Sequence, residues 1–182
     1  MNPSPNLFLV GPMGAGKTSI GRRLAQHFAL PFVDLDMAIE TATGASIALI
    51  FELEGEDGFR QRESAALRQF SASDGLVLAG GGGIVLREAN RTCLAQRGFV
   101  VYLQADVGHQ IERLRRDRQR PLLATPDRHQ RLQAMASERE PLYRQVADLC
   151  IPSRRETLRK ASARVAAQIE AVWQRPPVDA PS

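Results

Sequence analysis

Lysine is almost missing from this 182-residue chain; Lys17 and Lys160 are its only two. The basic charge behind its net +4 and its pI of about 9.7 is therefore arginine charge. Arginine suits bidentate capture of carboxylate and phosphate. It is so abundant here that a single arginine indicates a site only where a motif supports it. Cysteine is scarce too. Cys93 and Cys150 stand alone without metal-ligand spacing, which excludes a disulfide framework or a zinc ribbon and suggests free thiols in a reducing cytosol. No apolar run approaches the roughly 18–20 residues of a membrane-spanning helix. The start, Met1-Asn2-Pro3-Ser4-Pro5, lacks the basic and apolar regions of a signal peptide. The guanine-reading pattern N-K-x-D is also missing, which argues against a GTPase.

What is present is a chain with 43% hydrophobic and 24% charged residues, enough to bury a sizeable core. Its length fits one domain, 1–182, with a core over about 6–173. Short apolar runs alternate with helical patterns. Strands are expected at Asn6–Val10, Pro31–Val33, Leu76–Ala79, Phe99–Leu103 and Leu149–Ile151. Helices are expected from Lys17 with Ile20, Leu24 and Phe28 on one face, and from Asp36 to Thr43, where Gly44 stops the turn. Ser46 can cap a helix ending near Gly55, and another runs from Glu56 to Phe70. Later helices cover about Arg87–Gln96, Val107–Arg116, Arg128–Val146 and Glu156–Trp173. Continuous apolar strands between helices predict a five-stranded parallel sheet covered on both faces, a three-layer α/β/α sandwich. The basic, proline-bearing stretch at about 117–128 reads as a mobile lid. The tail at 174–182 has nothing to bury and is expected to lack structure.

Gly11-Pro12-Met13-Gly14-Ala15-Gly16-Lys17-Thr18 matches G-x-x-x-x-G-K-[ST], the P-loop. Its glycines let successive backbone N–H groups turn toward phosphate oxygens, and the following helix presents its positive end to the same anion. Gly14, Ala15, Gly16, Lys17, Thr18 and Ser19 form the candidate ATP-contacting run. Lys17 reaches the β- and γ-phosphates, and the Thr18 hydroxyl is a ligand for Mg²⁺. Asp34 and Asp36 follow the second strand, at the sheet edge where ligands bind in open α/β folds. One of them can order the Mg²⁺ shell and the other can orient a substrate hydroxyl; a plain helix cap at Asp36 is the competing reading.

Further motifs follow: Phe59-Arg60 with Glu63, then Gly80-Gly81-Gly82-Gly83, Arg120-Pro121-Leu122-Leu123, and Arg139 ahead of Pro141-Leu142-Tyr143. Together with the P-loop and D-x-D, this set resembles the shikimate kinase family over about residues 6–170. The resemblance implies a nucleoside monophosphate kinase-like P-loop fold. It also implies transfer of the ATP γ-phosphoryl group to the 3-hydroxyl of shikimate, with Mg²⁺. Under it, Asp36, Arg60, Gly82 and Arg139 bind shikimate. Arg60 and Arg139 hold its carboxylate, Asp36 its hydroxyls, and Gly82 offers a backbone N–H. Asp34 helps hold Mg²⁺ through water, Arg120 swings in with the lid to the phosphates, and Arg113 lies along the adenine. It assigns catalysis to Lys17, Asp36 and Arg120.

Read without the family, Arg60 is a partner for Glu63 on its own helix, Arg139 an exposed helix residue, and the glycine run a tight turn. The run Arg113 to Arg120 reads as a solvated face or a nucleic-acid patch. A gluconate or nucleotide kinase is the nearest rival function. A monomer acting on small molecules, without nucleic acid or membrane, is the expected form. By the resemblance, Arg154-Arg155 falls where the family has one nucleotide-contacting arginine, and the register leaves open which of the two it is.

Overall fold

A computed structural model describes residues 4–114 and 127–176. Its sheet has five parallel strands: β1 (Leu7–Val10), β2 (Phe32–Asp34), β3 (Val77–Ala79), β4 (Phe99–Leu103) and β5 (Leu149–Ile151). Their order is β2-β3-β1-β4-β5. β1 is central, fully buried, and pairs Leu9 with Ala79 on one side and Val101 on the other.

Strand side chains alternate between faces, so each strand feeds two cores. Phe8, Val10, Leu78, Val100 and Tyr102 pack under α2 (Leu35–Thr43), α3 (Ile47–Ser71), α4 (Glu88–Arg97) and α6 (Arg128–Val146) through Ile39, Phe59, Leu67, Leu94 and Tyr143. Leu7, Leu9, Val101 and Leu103 pack against α1 (Lys17–His27) and α7 (Leu158–Glu170) through Ile20, Leu24, Val165 and Ile169. The result is the three-layer sandwich expected from the alternating pattern. α5 (Val107–Leu114) joins α6 through a small cluster in which Met13 and Leu132 are buried beside Ile111 and Met135.

Some boundaries differ from expectation for identifiable reasons. α2 begins at Leu35, not Asp36, because Asp34 is its cap: Asp34 Oδ1 accepts from the Met37 N–H at 3.2 Å. Asp36 therefore lies inside the first turn, and the cap reading of that residue is overturned. The break expected at Gly55 is present: its φ of 70° and ψ of −176° are non-helical and divide α3 into two helical segments. Gly44 closes α2 in the left-handed region, and Ser46 caps α3 by accepting from Leu49 N–H, both as read from sequence. The last helix starts later, at Leu158, behind a Thr157 cap. The start of the tail is tied down: Arg175 donates to the Phe28 carbonyl at 2.9 Å. Of the lid expected at about 117–128, residues 117–126 lie outside the described residues, and Arg128 already belongs to α6. Among the described residues no helix is long and apolar enough to cross a membrane.

Candidate active site

The loop after β1 is shaped by its glycines. Gly11 has φ 143°, and a β-carbon there would sit 2.3 Å from the Leu103 carbonyl oxygen. Gly14 and Gly16 also have positive φ, 76° and 90°, which L side chains rarely adopt. The chain thus curls into the N-terminus of α1, whose first turn carries no acidic residue to offset its positive end. Lys17 Nζ lies across the loop and donates to the carbonyls of Gly11 at 2.7 Å and Pro12 at 2.9 Å. The loop is thus a ring of backbone donors crossed by one ammonium.

Beside it, Thr18 Oγ1 donates to Asp34 Oδ2 at 2.6 Å. A hydroxyl and a carboxylate oxygen this close form a hard-oxygen pair suited to a divalent cation. Among the described residues no cluster of three or more His, Cys, Asp or Glu side chains could hold a metal. A cation at this pair would draw the remainder of its shell from phosphate oxygens and water, the usual habit of Mg²⁺ in phosphoryl-transfer sites. The donor set fits that ion.

A cleft of about 890 Å³ opens between the loop, α2, α3, the glycine run and α6. Asp36, Arg60, Gly82 and Arg139 all line it. Arg60 is buried at 6% exposure. Its Nη1 donates to Glu63 Oε2 at 2.8 Å, and its Nε and Nη2 donate to Glu56 Oε1 at 3.3 and 3.2 Å. Its guanidinium also lies 5.1 Å from the Phe59 ring centroid. Arg60 therefore both pairs with Glu63 and faces the cleft. Arg139 is buried as well, at 8% exposure, with Nη1 donating to the Gly82 carbonyl at 3.2 Å. The exposed-helix reading of Arg139 is thereby overturned.

The glycine run serves space, not backbone freedom, since none of Gly80 to Gly83 has positive φ. A β-carbon on Gly81 would meet Asp36 Oδ1 at 2.8 Å and Glu63 Oε1 at 2.9 Å. One on Gly83 would strike Arg60 Nη2 at 2.2 Å. At Gly82 it would meet only ordinary contacts, the nearest being Met13 Cγ at 3.4 Å. Sites 81 and 83 are thus filled by the polar side chains of the cleft, and site 82 exposes main chain to it.

Sequence reasoning left Glu63 out of the site, although it belongs to the F-R-x-x-E motif. Glu63 is completely buried and lines the cleft. Burial pushes its carboxyl above the usual carboxylate range, against the opposing pull of Arg60. Asp36 adds to the upward push, and Arg139 acts against it. Met13, Phe51 and Phe59 supply apolar wall, and no charge pattern in the sequence marked them. Arg113 lies on α5, with its side chain outside the described residues, and Arg120 lies wholly outside them. Of the two later arginines, Arg154 lines a crevice with Ala15 and Ile20 beside the phosphate loop.

A P-loop, a Thr18–Asp34 oxygen pair beside it and a neighbouring cleft with two buried arginines and a carboxylate are the layout of a P-loop phosphotransferase with a small anionic acceptor. A family model for shikimate kinase matches residues 13–170. Shikimate kinase of Stenotrophomonas maltophilia K279a is 53% identical over 175 residues, 96% of this chain and 97% of that protein. The structure of shikimate kinase from Acinetobacter baumannii in complex with shikimate is 45% identical, with a TM-score of 0.89 over 92% of this chain and 94% of that one. The Bacteroides thetaiotaomicron enzyme matches at 28% identity and TM-score 0.83, over 91% and 98%. This chain belongs to the shikimate kinase family.

Proposed function

We propose that this protein transfers the γ-phosphoryl group of ATP to the 3-hydroxyl of shikimate, giving shikimate 3-phosphate and ADP. The observation that carries the reading is the convergence of Asp36, Arg60, Gly82 and Arg139 on one cleft beside the P-loop. Two guanidiniums form a carboxylate clamp. Asp36 is the group for the ring hydroxyls, and the glycine run leaves main chain free to reach the acceptor.

Phosphoryl transfer proceeds through a loose in-line transition state, so positioning and charge stabilisation supply most of the rate. The backbone of Gly14 to Ser19 would cradle the phosphates, with Lys17 moving from its loop carbonyls onto the β- and γ-oxygens. Asp36 would orient the attacking hydroxyl and accept its proton as the new O–P bond forms and ADP leaves. Mg²⁺ held by Thr18, and by Asp34 through water, would neutralise phosphate charge. Arg120 from the lid is assigned to the transferring phosphate and Arg113 to the adenine, by resemblance; the crevice that Arg154 shares with Ala15 supports it as the nucleotide-side member of the Arg154-Arg155 pair. Lid closure would exclude water and so limit ATP hydrolysis. The proposal includes a cytoplasmic monomer, a setting in which the two free thiols, Cys93 and Cys150, are at home.

The test is a coupled ADP-release assay with shikimate, gluconate and nucleoside monophosphates supplied in turn. Release that depends on shikimate alone is expected. Release that ignores shikimate, or that follows gluconate, overturns the reading.

A further inference from the structure

We infer that Tyr143 is a positioning residue for the acceptor cleft, fixing through the Gly82 carbonyl the guanidinium of Arg139. The inference rests on the proposed role of Arg139 as a carboxylate ligand.

Tyr143 and Arg139 are four residues apart on α6 and share a face. Both donate to one acceptor: the Tyr143 hydroxyl and Arg139 Nη1 each bond the Gly82 carbonyl oxygen. A carbonyl oxygen has two lone pairs, so these two donors complete it. Tyr143 is 2% exposed, and its ring stacks on Tyr102 of β4 with centroids 4.9 Å apart and planes at 26°. The hydroxyl is therefore aimed by the sheet itself. Burial also pushes the phenol upward, so it remains a donor at any working pH.

Arg139 needs such an anchor. Arg60 is gripped by two glutamates, whereas no carboxylate bonds Arg139 among the described residues, and its buried Nε has no hydrogen-bond partner there. Its described hold on the cleft wall is the Gly82 carbonyl. That carbonyl shares a rigid peptide plane with the Gly83 N–H. Gly83 in turn lies against the Arg60 guanidinium, so a tilt of this plane disturbs both halves of the clamp.

The experiment uses Tyr143→Phe, which keeps the stacked ring and removes the hydroxyl. Shikimate binding is measured by calorimetry, KM for each substrate by the coupled assay, and folding by thermal melting. Shikimate Kd and KM are expected to rise about 5- to 10-fold, the size of one lost hydrogen bond, with ATP KM and kcat within about twofold. Tyr102→Phe, which keeps the same stack, should leave shikimate affinity unchanged. In an Arg139→Lys background, Tyr143→Phe should add less than about twofold, because the two act through one carbonyl. Unchanged shikimate affinity in Tyr143→Phe overturns the inference. So do equal rises in both KM values, or full additivity with Arg139→Lys. If the unaltered protein fails to bind shikimate, the functional reading falls and this inference falls with it, whereas normal binding that ignores Tyr143→Phe removes the inference alone.

Discussion

The phosphate loop and the acceptor cleft adjoin but are built on opposite plans. The loop is backbone: three positive-φ glycines and a helix end make the anion site, and Lys17 is added across it. The cleft is side chain: Arg60 is held by Glu56 and Glu63, Asp36 and Glu63 crowd the space over Gly81, and Arg139 hangs from the Gly82 carbonyl. A backbone site tolerates many neighbours, which is why P-loops serve many acceptors. A side-chain site depends on every supporting partner, and specificity is set there.

This division predicts separable failures. The largest is expected for Lys17→Ala. Transfer should fall by at least about 10³-fold, since a charge aimed at the transferring group is lost. Shikimate binding measured by calorimetry should persist; its loss would break the separation between the two regions. Next is Arg139→Ala. Shikimate KM should rise by about 100-fold, the scale for truncating one member of a charge pair, with ATP KM nearly unchanged. Unchanged shikimate saturation would refute the role assigned to Arg139. Smaller again is Gly83→Ala. The new methyl must displace the Arg60 guanidinium, so shikimate affinity should fall by about tenfold while ATP affinity holds. If that variant binds shikimate normally, the spacer role of the glycine run is wrong.

The two plans also explain what the sequence disclosed. A backbone site needs glycine at fixed positions, so Gly11 to Thr18 could be read directly, as could the strands that alternate with helices around it. The cleft was legible mainly through family resemblance. Nothing in the letters Glu138-Arg139-Glu140 tells that Arg139 turns inward to a carbonyl fifty-seven residues away in the chain. Asp34 and Asp36 were marked as a pair, but the helix cap fell to Asp34, because only its side chain sits three residues ahead of a free N–H at Met37. Glu63 was visible as a motif letter, but its burial was not. Such facts come from long-range packing, which local patterning does not encode.

The smallest expected effect concerns that burial. Glu63 carries a raised pKa because desolvation outweighs its pairing with Arg60, while Asp36 adds repulsion and Arg139 relieves part of it. Below the ordinary carboxylate value, near 4.5, the residue is protonated in both folded and unfolded chains. As pH rises from there, the unfolded chain releases the proton first. Stability contributed by the protonated, buried form is then lost as pH climbs through the raised folded value, by at most about 1.4 kcal/mol per pH unit. Urea unfolding measured as pH is raised from about 5 should show this decline in the unaltered protein. Glu63→Gln cannot titrate, so its slope over the same window should be shallower, even though its absolute stability changes with the altered Arg60 contact. Parallel pH profiles for the two proteins would show that Glu63 is charged and fully compensated when folded.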